Sequence, residues 1–162
     1  MALPAMNTIL YTTSLGKHTR PVFRHAVNLA HQFNAKIVML HVVEPIGELG
    51  HALIQNYLDE SLVQKMHDEG INAIKDQMRE RVAAFCADEL QSLPEPFDLD
   101  IEHVVIEGNH TDSILHEAKA IDADMIVIGS ENTFGHHSHT TQQVVKGAKV
   151  PVLVVPTGKK YA

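Results

Sequence analysis

The sequence contains no tryptophan and only one cysteine, Cys86. A single thiol excludes an intramolecular disulfide and suits a reducing compartment, and Cys86 reads as a small residue buried under a helix. Long apolar runs are also missing. The longest, such as Val150 to Val155, fall far short of a membrane span, and Met1 to Asn7 carries no basic targeting segment, so a cytoplasmic protein without a membrane partner is expected. Clustered positive charge is absent too. The formal net charge is −7 and the basic residues are scattered, which leaves no electrostatic footprint for a phosphate backbone and argues against a nucleic-acid partner. Histidine, by contrast, is plentiful. Protonation of the 12 imidazoles below about pH 6.5 would cancel much of the negative charge, so solubility should fall on mild acidification.

The 162 residues, 44% of them apolar, suffice for one domain over 1–162 with a core that needs no metal or disulfide. Apolar runs alternate with amphipathic stretches along the chain, the pattern of parallel βαβ units. Thr8 to Thr12 reads as a first strand, and Pro21 sits where the first helical turn tolerates a missing N–H. Val22, Ala26, Leu29, Ala30 and Phe33 follow at helical spacing. Lys36 to Val43 is nearly continuous apolar sequence, as a strand covered on both faces requires, and Pro45 and Gly47 end it.

Ala52 to Leu90 reads as helical, with Gly70 inside it and Ser61 and Gln64 spaced as a capping box, so two consecutive helices are expected. In the second, Ile71, Ile74, Met78, Val82 and Phe85 form the core stripe. Leu99 to Ile106 is the third strand, and Gly108 to Thr111 turns the chain into a helix carrying Ile114, Leu115, Ala118 and Ile121. Met125 to Ile128 returns as a strand ending on Gly129 and Ser130. A polar stretch from Glu131 to Gln143 leads to a short helix with Val144, Val145 and Ala148, and Val152 to Val155 between two prolines suits an edge strand.

Three segments together resemble the universal stress protein A family: Asn7 to Tyr11, Ile106 to Ala118, and Ala123 to Ser130 with Val150 to Pro156. The resemblance implies an α/β fold of the adenine nucleotide alpha hydrolase-like type, an open five-stranded parallel sheet in the order 3-2-1-4-5 with helices on both faces. It also implies a homodimer built by antiparallel pairing of the last strands. Physical chemistry points the same way, because Val152, Leu153, Val154 and Val155 would otherwise leave an apolar sheet edge uncovered.

In such a sheet, ligands bind beyond the carboxyl ends of the strands where the strand order reverses, here between strands one and four. Relatives that bind ATP place an aspartate after strand one and hold the phosphates on a loop written Gly, two residues, Gly, nine residues, Gly, then Ser or Thr. Here Ser14 occupies the aspartate position, Gly129 matches the first glycine, Asn132 stands for the second, and Ser138 and His139 fall where the final pair would be. The stretch is about four residues shorter than the pattern, so the loop is degenerate. Thr12, Thr13, Ser14, Lys17, Arg20, Asn132, Ser138 and Thr140 still supply groups that suit a small anionic ligand near helix starts. They equally suit helix capping and loop solvation. Val42 and Val43 resemble the wall against which the family rests adenine, and Gly108 matches the glycine of its third loop. No cofactor is demanded by these residues, and ATP or AMP is the candidate that the resemblance supplies.

His136, His137 and His139 crowd the same loop and suit either a solvated proton-sensitive segment or, with His18, a metal. Neighbouring loop residues seldom converge on one ion, so no metal is expected. His41, inside an apolar strand, reads as a packed histidine. No nucleophile with its base, paired-carboxylate site or intact phosphate loop is present, so no enzyme is expected. The run Thr12, Thr13, Ser14 supplies no acid for a phosphorelay receiver. The hydroxyl-rich Thr12 to Thr19 is reminiscent of a flavodoxin loop, but Tyr11, Tyr57 and Tyr161 are not placed to sandwich a flavin. The leading reading is a non-catalytic stress-response module sensing a small ligand. An ATP- or AMP-binding member with slow or no hydrolysis is the alternative, and an interaction protein without a ligand is the third.

Overall fold

The computed structural model describes residues 2–15, 19–44, 60–94, 98–130 and 139–157, without the side chains of 60–69 and 71. Along them run β1 (Thr8–Thr12), α1 (Arg20–Phe33), β2 (Lys36–Val43), α2 (Glu60–Gln91), β3 (Ile101–Glu107), α3 (His110–Ala120), β4 (Met125–Gly129), α4 (His139–Gly147) and β5 (Val152–Val155). The strands form one parallel sheet in the order β3-β2-β1-β4-β5, as the family resemblance implies.

Alternation along the strands divides the core between the two faces of this sheet. Ile9, Tyr11, Ile37, Met39 and Val127 pack with Val22, Phe23, Ala26 and Val27 of α1 and with Val82 and Cys86 of α2. Leu10, Val38, Leu40, Val42 and Ile126 pack on the other face with Ile114 of α3 and Val144 of α4. Cys86 is buried, in keeping with its reading as a small residue packed under a helix. Phe23 meets Tyr11 and Phe85 edge to face, with centroids 6.0 and 5.9 Å apart.

Asp124 shows why an acid precedes β4. Its Oδ2 accepts from the backbone N–H groups of Asn7 at 2.8 Å and Thr8 at 3.0 Å, while its own N–H donates to the Thr8 carbonyl at 2.8 Å. These bonds fix the start of β4 against the start of β1 and set the central register Ile9 with Met125.

Glu60–Gln91 is one helix that runs through Gly70 and starts beside Ser61, where the capping-box spacing restarts the helical segment; the earlier part of that segment, and with it the expected first helix, lies outside the described residues. Gly70 is exposed, and a β-carbon there would meet nothing within 4 Å, so it is a tolerated helix residue rather than a junction. The apolar stripe of α2 reaches the core only in its later turns, where Val82 is fully buried while Ile74 remains 37% exposed. Helix α4 begins at His139, several residues before the apolar positions that revealed it.

Candidate functional site

The β1–β4 ladder pairs Ile9 with Met125, Leu10 with Ile126 and Tyr11 with Val127, and goes no further. The outer ladders continue: Thr12 pairs with Leu40 of β2, and Gly129 pairs with Val155 of β5. The chain segments leaving the two central strands then bond away from each other. Thr13 donates its N–H to the Leu40 carbonyl at 2.9 Å, whereas Ser130 donates its own to the Val155 carbonyl at 3.0 Å. A crevice therefore opens at the point where the strand order reverses, the position at which open parallel sheets hold ligands.

The β1 wall is held by side chains. The Thr13 hydroxyl accepts from the Leu15 N–H at 3.0 Å, and Leu15 takes a left-handed conformation with φ 61°. The ring Nδ1 of His41 lies 2.8 Å from the Thr13 carbonyl, and since a carbonyl only accepts, Nδ1 carries the proton. His41 thus braces the loop after β1 from β2. Burial lowers its pKa, opposed in part by the carbonyl it bonds, with the neighbouring charges of His110 and Arg81 lowering it further.

On the β4 wall, the Thr141 hydroxyl donates to the Gly129 carbonyl at 2.7 Å, and the Thr157 N–H donates to the Ser130 hydroxyl at 3.2 Å. The first bond fastens the start of α4 to the end of β4. Gly129 itself is enforced by packing, because a β-carbon there would stand 2.8 Å from Thr157 Cγ2 and 3.2 Å from Val22 Cγ2.

Helices α1 and α4 both begin beside the crevice, and neither has an acidic residue in its first turn. Neither first turn offsets its own positive dipole end with an acid, whereas α3, starting beyond β3, is capped by Asn109 and carries Asp112. Arg20, the first residue of α1, adds a cation, paired on one side with Glu89 of α2 at 3.0 Å. Such an end of the sheet favours an anion.

Of the residues expected to form the site, Thr12 and Ser14 are half-buried at the end of β1, and Thr13 is buried with its polar atoms engaged in the turn. His139 is exposed and Thr140 half-buried in the first turn of α4. Val42 packs within the core on the α3 and α4 face and is 3% exposed, so it presents little surface to a ligand. Gly108 lies farther off, turning β3 into α3: its N–H donates to the Val43 carbonyl at 2.9 Å, and a β-carbon would meet Ser113 Oγ at 2.6 Å. Asn132, Ser138, His136 and His137 lie outside the described residues, as do Lys17 and His18. Sequence reasoning missed the supports Thr141 and Thr157 and the bracing role of His41. Thr141 was legible as a hydroxyl near a helix start, while Thr157 follows the last strand and no periodicity marks it.

Among the described residues, no group of three His, Cys, Asp or Glu side chains is placed to hold a metal ion. Among the same residues, no helix is long and apolar enough to cross a membrane.

Comparison with known proteins agrees with this architecture. The profile described as Universal stress protein family matches residues 6–156. A curated relative, Universal stress protein MJ0531 of Methanocaldococcus jannaschii, is 26% identical over 141 residues, which cover 85% of this chain and 74% of that one. Universal stress protein UspA from Lactobacillus plantarum superposes with a TM-score of 0.65 at 21% identity, covering 93% of this chain and 98% of its own. A universal stress protein from Archaeoglobus fulgidus in complex with dAMP superposes with a TM-score of 0.55 at 16% identity, covering 94% and 98%.

Proposed function

Since the chain belongs to the universal stress protein family, we propose that it is a non-catalytic, cytoplasmic stress-response module whose β1–β4 crevice takes a small anionic ligand, an adenine nucleotide of the AMP class. The observation that carries this reading is the crevice itself, where the central ladder stops short of its neighbours and two helices start without an acid in their first turns. The dAMP complex of the Archaeoglobus relative supports the nucleotide class. The shortened loop, with Asn132 in place of its second glycine, favours one phosphate over three, because a triphosphate needs the longer glycine-rich cradle. ATP is then a weaker ligand and is not turned over.

The same reading includes a homodimer through β5. That strand is a sheet edge with one neighbour, Val154 is 38% exposed, and Val152 and Leu153 are only half-buried. An isologous copy would cover these residues and the unpaired backbone groups together.

Thermal unfolding with AMP, ATP and adenosine tests the ligand. A ligand bound only by the native state raises stability by RT ln(1 + [L]/Kd), so AMP should raise Tm more than equal ATP, and ATP should remain intact on prolonged incubation. Absence of any shift with millimolar AMP would leave the crevice without this ligand.

A further inference from the structure

Glu89 is an unusual residue for the inner face of a helix. It stands near the end of α2, its side chain is 5% exposed, and Tyr11 of the surrounding apolar cluster is near enough for its charge to act on the phenol. Its Oε1 accepts from Arg20 Nε at 3.0 Å, while Oε2 has no hydrogen-bond partner. Arg20 keeps 40% of its side-chain surface exposed and makes no other polar side-chain contact among the described residues. A pair serving stability alone would be expected to match the guanidinium fork to both carboxylate oxygens, because two parallel bonds best offset the cost of burying the carboxylate. Here the contact uses one N–H of five and leaves one oxygen orphaned. A cation at the first residue of α1 is also unfavourable towards the helix dipole, and no acid in that turn offsets it. The pair is thus a poor structural bridge, but it holds an arginine by its inner nitrogen at the first residue of α1, the helix that follows β1, and leaves its outer N–H groups without a carboxylate among the described residues.

We propose that Glu89 is a positioning residue that fixes Arg20 to read the phosphate of the crevice ligand, so that the site selects a phosphorylated nucleoside over the bare nucleoside. This rests on the reading of the crevice as a nucleotide site. The carboxylate acts from the core through Arg20 and touches no ligand.

Calorimetric titration with AMP and with adenosine tests the proposal on the wild type, Glu89→Gln, Arg20→Gln and the double variant. Arg20→Gln alone strands a buried carboxylate and risks misfolding, whereas the double variant buries no charge and keeps the test open. The wild type should prefer AMP. Glu89→Gln should lower AMP affinity on the order of tenfold with adenosine affinity unchanged, and the double variant should lose the preference without falling below the weaker single variant. A merely structural role would weaken both ligands alike. An AMP preference that survives in Glu89→Gln and in the double variant overturns the role of Glu89 and leaves the crevice reading intact. A wild type that binds neither compound overturns both.

Discussion

A β-carbon on Gly129 would lie 2.8 Å from Cγ2 of Thr157, so the residue that ends β4 and the residue that follows β5 are fitted to each other. The glycine that matches the family's phosphate loop is therefore demanded first by the protein's own packing. Gly129→Ala should destabilise the fold by about 1–3 kcal/mol, the usual cost of forcing extra volume into a packed site. Thr157→Ser, which removes Cγ2 and keeps the hydroxyl, should recover a substantial part of that loss. Chemical denaturation of the two single variants and the double variant measures the coupling, and additive losses would contradict this packing account.

Tyr11 is fully buried on the face shared with α1 and α2, and its hydroxyl makes no well-aligned hydrogen bond, although the Thr13 side chain lies beside it. Burial raises its pKa strongly, Thr13 lies close enough to favour the ionised form somewhat, and the charge of Glu89 opposes ionisation. A hydroxyl that has given up water without gaining a well-aligned bond contributes nothing to stability, so Tyr11→Phe should be neutral or stabilising by up to about 1 kcal/mol. A loss above that size in equilibrium unfolding would show that the hydroxyl is bonded in solution.

His41 gives the protein a defined response to acid. Its folded-state pKa is depressed, chiefly by burial, so as the pH falls below about 6.5 the unfolded chain takes up a proton that the folded chain resists. Stability from this group is complete above the unfolded pKa and is lost as the pH drops towards the folded one. His41→Asn keeps a donor for the Thr13 carbonyl but does not titrate, and it should flatten the decline of stability between about pH 7 and pH 5. An unchanged slope would assign the decline to other groups.

The exposed edge of β5 predicts an association state. Val154→Lys should convert a dimer into a monomer in sedimentation or light scattering and remove the concentration dependence of Tm, because position 154 is exposed within the subunit and Lys is the usual guard of a sheet edge. A wild type that sediments as a monomer at micromolar concentration would contradict the dimer.

Much of the fold was legible because its signals are local. Lys36 to Val43 declares itself by an unbroken apolar run, and the structure places β2 over the same residues. Helix α2 was legible at its start, where Ser61 and Gln64 stand beside Glu60, but the packing of Val82 and Cys86, which decides where the helix meets the core, was not. The start of α4 was hidden because His139 to Gln143 is polar throughout, and only Thr141, bonded to the Gly129 carbonyl, ties it to the sheet. The point where the strand order reverses was legible from the family resemblance, and the central ladder does stop short there, but the side chains that support its walls were not readable. The bonds from His41 to Thr13 and from Arg20 to Glu89 join residues 28 and 69 positions apart, and nothing in the spacing of either pair announces them.

Backbone amide chemical-shift mapping during titration with AMP tests the central claim most directly, because it reports binding and location together. The account predicts saturable shifts concentrated at Thr12 to Leu15, Gly129 and Ser130, Arg20, and the first turn of α4. Shifts absent at millimolar AMP, or confined to β5 and the outer surface of α2, would contradict it.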